Sequence, residues 1–214
     1  FDYKLISYIA DSFDNFDKDI NCRCIVLCSD GKHFCAGANF GKDRDMQDKA
    51  DPYSELYSQA VRLFKNKKPV IAAVQGGAIG GGLGLSLVAD FRIGCPESRF
   101  SANFSRLGFH QGFGTTVTLP RVVGPQNAAM MMLTGRRLKG QESFDIGLID
   151  YLVPLNKVRS KAIELAEEIS EAGPLAVQSI RATIRAGLAE QVEEIVAWEL
   201  SEQVRLQSTK DFKE

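Results

Sequence analysis

A chain of 214 residues, 44% hydrophobic and 25% charged, has room for one sizeable core and the composition of an ordinary globular protein. A formal net charge of −1 offers no basic field to nucleic acid or to an anionic membrane surface. No apolar run reaches the roughly 20 residues of a membrane span, and no signal-peptide pattern opens the chain, so a cytoplasmic protein is expected.

The opening, FDYKLISYIADSF, spaces Leu5, Ile6, Ile9, Phe13 and Phe16 as a helix does. It starts abruptly, already inside that helix, which points to strands ahead of residue 1. Arg23 to Cys28 reads as a buried strand ended by the turn residues Ser29, Asp30 and Gly31. A glycine-bearing loop, KHFCAGANFGKD, follows. Asp51 and Pro52 then start an amphipathic helix. The five cysteines, Cys22, Cys24, Cys28, Cys35 and Cys95, read as reduced and buried. Cys22-x-Cys24 has no matching second pair, so no metal is expected.

PVIAAVQ, from Pro69, is a strand, GLGLSLVAD a helix and FRIGC another strand. The next stretch, to Gly124, is loop-rich and closes in a short helix punctuated by Pro120 and Gly124. PQNAAMMMLTG is helical, and KGQESFDIGLIDYLVP gives a short helix, a turn at Gly147 and a strand. Residues 157–172, 174–187 and 188–208 are helical. The switch from alternating strands and helices to continuous helix divides the chain into a core, 1–155, and a helical region, 156–214.

Two glycine loops, CAGAN and IGGGLG, carry the chemistry. Each joins a strand to a helix, where unpaired backbone N–H groups and a partial positive charge are exposed. Side by side they could aim two N–H groups at one oxygen, which is an oxyanion hole. IGGGLG lacks the G-x-G-x-x-G spacing of a dinucleotide site, and the chain has no Walker Gly-Lys-Ser/Thr. Tight strand–helix packing is the structural alternative.

HFCAGANF, KKPVIAAVQGGAIGGGLGLSLVADFRIG, RVVG and MMMLTGRRLKGQESFDIGLIDYLVP occur in that order. Together they resemble the crotonase superfamily, that of enoyl-CoA hydratases and isomerases. The resemblance implies an α/β fold with a ββα spiral core and C-terminal helices that build a homotrimer or a dimer of trimers. It implies acyl-CoA thioesters as ligands, with coenzyme A entering as part of the substrate and no separate cofactor. It assigns the oxyanion-hole N–H groups to Ala38 and Gly81. It places Ala36, Gly37, Gly80 and Gly82 around the ligand, the segment at Ala36 and Ala38 receiving the adenine. Lys65, Lys67 and Lys68 are then either a solvated helix end or a contact for CoA phosphates.

Three positions depart from the family pattern. Gly84, Phe104 and Gly112 stand where the resemblance expects acids. Adding water to an enoyl thioester needs a base and an acid, and neither Gly nor Phe titrates. His110, in the loop LGFHQGFG, is the candidate acid/base in their place. Asn103, Ser101, Ser105 and Gln111 could orient water, and Phe104, Phe109 and Phe113 could line an apolar acyl pocket. Asp90 reads as a packing partner and Cys35 as packing. The sequence thus supports an acyl-CoA enzyme that stabilises an enolate-like state. The alternatives are a non-catalytic acyl-CoA-binding relative and a hydrolase of a CoA thioester or a carbon–carbon bond.

Overall fold

The computed structural model describes residues 1–37 and 52–213, with the side chains of 52–54 and 213 left aside. Helix α1 (Tyr3–Lys18) is capped by Asp2, whose carboxylate accepts the Leu5 N–H at 2.9 Å. Its Ile6, Ala10 and Phe13 fall on one face and are buried. Strand β1 (Ile25–Leu27) follows, then α2 (Pro52–Phe64), which packs against α1.

Strand β2 (Val70–Val74) is buried at every position, as a central parallel strand covered on both faces must be. It runs parallel to β1 and to β4 (Phe91–Gly94), and β4 runs parallel to β7 (Tyr151–Leu152). The order in this sheet is β1-β2-β4-β7. A second sheet holds β3 (Gly77–Ile79), β5 (Arg99–Ser101) and β6 (Leu138–Lys139). Here β3 and β5 are parallel, and β6 is antiparallel to β5.

Two turns of the chain repeat one unit. β2 enters the first sheet, β3 the second, and α3 (Gly81–Leu87) returns. β4, β5 and α4 (Thr115–Thr134) do the same, by way of a 3₁₀ turn at Asn103–Leu107. This is the expected ββα spiral. Within α4, Gly124 is non-helical, with φ of 77°, which separates the two helices expected on either side of it.

The sequence reading assigns no strand at β3, β5 or β6, and at Lys139 it starts a helix. These strands are two or three residues long, too short for a period-2 pattern to register. The structure also corrects one cysteine expectation. Of the five read as buried, only Cys95 is; Cys22, Cys24 and Cys35 are half-buried, and Cys28 is exposed beyond the end of β1. Burial pushes the Cys24 thiol up to about 11 and raises Cys22 and Cys35 as well, so none of these three is an activated nucleophile.

After α5 (Gly140–Asp145) and β7 come α6 (Val158–Glu171), α7 (Pro174–Ile184), α8 (Leu188–Gln207) and α9 (Lys210–Lys213). Leu188, Val192 and Val196 of α8 share one core with β2, α2 and α3. Helix α7 is tied to the sheet by Asp90 at the start of β4. The Asp90 carboxylate accepts the Val70 N–H, Arg181 Nε at 2.7 Å and Arg185 Nη1 at 3.0 Å. Arg181 also donates to the backbone and side-chain oxygens of Asn66. The packing role read for Asp90 is the one it has.

Candidate active site

The two glycine loops are stitched together by backbone. Cys35 N–H donates to the Gly77 carbonyl at 2.9 Å, and Ile79 N–H donates to the Cys35 carbonyl at 3.0 Å. Cys35 thereby runs as a short parallel bridge beside Ala78. The approach is so close that only glycine fits at residue 82: an added Cβ would lie 2.0 Å from the Cys35 oxygen. Gly37 adopts φ of 94°, and an added Cβ there would meet the Ile79 oxygen at 2.9 Å.

Helix α3 begins at Gly81 directly beyond this seam, with Gly80 as its cap and no capping side chain. Gly84 N–H bonds back to the Gly80 carbonyl. The amides of Gly81, Gly82 and Leu83 in the first turn precede any such bond.

A small cavity of about 70 Å³ opens at this point. Ala36, Gly37, Gly80 and Gly81 give its backbone wall, and Phe1, Leu56, Phe104, Phe109 and Phe113 its apolar wall. Tyr57, Gln203 and Asn103 supply side-chain polar atoms. Among the described residues that line it there is no Asp, Glu, His, Lys or Arg. Of the expected ligand-binding residues, Ala36, Gly37, Gly80, Phe104 and Phe109 are thus brought together with Gly81. Gly82 faces Cys35 instead. Ala38 lies outside the described residues.

Each glycine at an expected acidic position has its space filled. At Gly84 a Cβ would lie 2.7 Å from the Phe113 Cβ. At Gly112 it would lie 2.1 Å from the Tyr57 hydroxyl and 2.5 Å from the Gln203 side chain. Phe113 is 1% exposed and sits at φ of 64°, a left-handed conformation rare for a bulky residue. The third position, Phe104, is an apolar wall.

The polar side chains divide into paired and open. Tyr57 donates to Gln203 at 2.7 Å, and Gln203 donates to the His110 carbonyl at 3.0 Å. Ser101 donates to the Gly135 and Arg136 carbonyls, and Gln111 to Thr116. His110 does not line the cavity. Its Nδ1 is 2.8 Å from the Gln111 carbonyl. Among the described residues none hydrogen-bonds the Asn103 side-chain amide, which lines the cavity with its Oδ1 3.3 Å from where a Gly80 Cβ would be.

Behind the wall, Glu199 of α8 is fully buried. Its carboxylate accepts the Gly114 N–H at 2.8 Å and, from Thr116, the N–H at 3.0 Å and the hydroxyl at 2.5 Å. A carboxylate at the start of α4 meets the positive end of that helix. The sequence reading missed Glu199, Tyr57 and Gln203. An acid amid the apolar positions of an amphipathic helix was the one local signal. Burial raises the Glu199 carboxyl above its ordinary value of 4.5, against the lowering pull of its hydrogen bonds and of nearby His110. The folded protein then holds this proton more tightly than the unfolded chain. Stability contributed by Glu199 is fully present below 4.5 and falls as pH rises through the raised value. Urea unfolding from about pH 4 to 7 should show that fall, and Glu199→Gln, which does not titrate, should flatten it. An identical slope in both proteins would contradict the assignment.

A second cavity, about 430 Å³, shares Ala36 and Ile79 with the first. Lys32, His33, Arg99 and Arg137 line it, with Glu97 the acid among them. His33 Nδ1 accepts the Gly77 N–H at 3.0 Å and so braces the turn that leads into β3. The lysines near residue 65 serve elsewhere. Lys65 pairs with Glu193, the Lys67 and Lys68 amides bond Asp17, and the buried Lys68 ammonium donates to the Asp19 carbonyl.

The model of the enoyl-CoA hydratase/isomerase family matches residues 1–214. The chain belongs to that family. It is 33% identical over 188 residues to enoyl-CoA hydratase EchA19 of Mycobacterium tuberculosis, covering 85% of this chain and 70% of that one. It is 32% identical over 209 residues to crotonyl-CoA hydratase of Syntrophomonas wolfei, covering 96% and 80%. The crystal structure of an enoyl-CoA hydratase/isomerase from Pseudoalteromonas atlantica superposes with a TM-score of 0.90 at 25% identity, covering all of this chain and 85% of that one. The spiral core and the helical C-terminal region are those of the crotonase superfamily. Among the described residues, no helix is long and apolar enough to cross a membrane, and no group of three His, Cys, Asp or Glu could hold a metal.

Proposed function

We propose that this protein is an acyl-CoA enzyme that polarises a thioester carbonyl with backbone N–H groups and stabilises an enolate-like intermediate. The observation that carries this reading is the Gly81 amide. It stands at the first turn of α3, beside the backbone-stitched Cys35–Gly37 segment, at a residue that lines an apolar cavity. Low dielectric makes such a donor effective, and losing one typically costs about 10²–10³ in turnover. Ala38 is the second donor in this assignment. The acyl group takes the apolar cavity. The phosphates of coenzyme A take the cationic one, across the shared seam at Ala36 and Ile79.

The two-carboxylate route to hydration is not part of the proposal. Gly84 and Gly112 carry no titratable group, and neighbouring side chains fill the space beside them. A described lining without a carboxylate or an imidazole supports a second reading, an acyl-CoA binder without turnover. In the enzyme reading His110 takes the α-proton and returns it, after its ring has turned from the Gln111 carbonyl toward the cavity. We also assign the C-terminal helices as the surface that assembles trimers, since Leu175, Ile180 and Ile184 of α7 are exposed.

One experiment separates the readings. A saturating acyl-CoA labelled with ¹³C at its thioester carbonyl should show a lowered C=O stretch on binding. Its α-protons should exchange with deuterium oxide. A lowered stretch without exchange supports the binder. An unshifted stretch removes the oxyanion assignment.

A further inference from the structure

The proposed acyl cavity has an apolar wall and a backbone wall, and within it one side-chain polar group is left over. Tyr57 and Gln203 are bonded to each other, and Gln203 to His110. Of these three, the Asn103 amide is the one with no hydrogen-bond partner among the described residues. Its place is set by the chain. Asn103 opens the 3₁₀ turn that follows β5, and the Gly80 N–H is held to the neighbouring Ser101 carbonyl at 2.8 Å. That bond fixes Asn103 against Gly80, one residue from the Gly81 amide.

We infer that Asn103 recognises a neutral oxygen substituent, a hydroxyl or carbonyl, carried by the acyl chain next to the thioester. This rests on the acyl-CoA reading of the site. An amide both donates and accepts, so it can bond either group. The register follows from position. A thioester oxygen on Gly81 puts the next few atoms of the acyl chain beside Gly80 and Asn103. The charge state follows from the lining. The described lining has no Lys, Arg or His side chain, and its one cation, the Phe1 ammonium, is held by the Gly37 carbonyl at 2.6 Å, so a carboxylate on the acyl chain would be desolvated without a matched side-chain partner. A plain hydrocarbon chain would strip the Asn103 amide of water and give it nothing in return.

The test is calorimetric binding of three CoA esters to the purified protein: butyryl-CoA, 3-hydroxybutyryl-CoA and succinyl-CoA. The hydroxylated ester should bind about tenfold tighter than butyryl-CoA, and succinyl-CoA weakest. Asn103→Ala and Asn103→Leu should each bring the first two within about twofold, by weakening the hydroxylated ester and by relieving butyryl-CoA of the cost of drying the amide. Unchanged circular dichroism and an unchanged urea midpoint would show that the fold is kept. Should neither variant fold, the wild-type ratios decide. Equal wild-type affinities, tightest binding of succinyl-CoA, or a preference that survives in a folded variant would overturn the inference and leave the acyl-CoA reading standing. No binding of any ester would overturn that reading as well.

Discussion

Replacing Asp90 with alanine should destabilise the protein by about 3–5 kcal/mol, because it leaves two arginines without their counter-charge. Asp90 is 17% exposed, Arg181 9% and Arg185 13%, so water screens little of the pairing. Arg185 depends on it most. Burial already lowers the pKa of that guanidinium, and its Nη2 has no hydrogen-bond partner among the described residues. The Val70 N–H at the edge of β2 would lose its acceptor as well. Urea unfolding of Asp90→Ala checks the magnitude. Asp90→Ala with Arg181→Met and Arg185→Met should recover part of the loss, since no uncompensated charge stays buried. A loss below about 1 kcal/mol would mean that α7 is held mainly by its apolar contacts.

The second large effect is expected at Phe113. Phe113→Ala should cost about 3–5 kcal/mol, the range for emptying a buried aromatic site. The ring is 1% exposed and packs edge-on against Phe1, with centroids 5.8 Å apart. The backbone adds a specific signature. At φ of 64° alanine keeps the left-handed strain and glycine does not. Phe113→Gly should therefore be more stable than Phe113→Ala by about 1 kcal/mol, the reverse of the usual order. Gly84→Glu should cost about 1–3 kcal/mol by overpacking in the wild type and less on the Phe113→Gly background. Additive costs in the double variant would show that Phe113 does not exclude a side chain at residue 84.

Much of the frame was legible because its signals are local. VIAAV is an unbroken apolar run, and it is β2, buried throughout. The glycines of IGGGLG announce a close backbone approach, and Gly82 makes it at the Cys35 carbonyl. Pro52, read from the sequence at a helix start, is the first residue of α2, and Gly124 breaks α4 where the sequence places a boundary. What escaped reading is non-local or very short. Nothing near Gly112 in sequence says that Tyr57 and Gln203 fill the space beside it. Nothing near Gly114 says that Glu199 caps the helix after it. β3 and β5 exist because the spiral pairs them, with three residues each. Asn103 was legible as a polar residue in the right loop. That its amide is the one left open depends on partners drawn from all over the chain.

Gln203 and the His110 carbonyl that it bonds are 93 residues apart. On a ribosome adding about 5–20 residues per second, the loop is made roughly 5–20 s before that wall arrives. Phe109 waits longer still for Phe212, whose ring lies 5.4 Å from its own in the finished protein. A nascent chain paused in this interval therefore presents the aromatic loop to chaperones before it has a cavity to close.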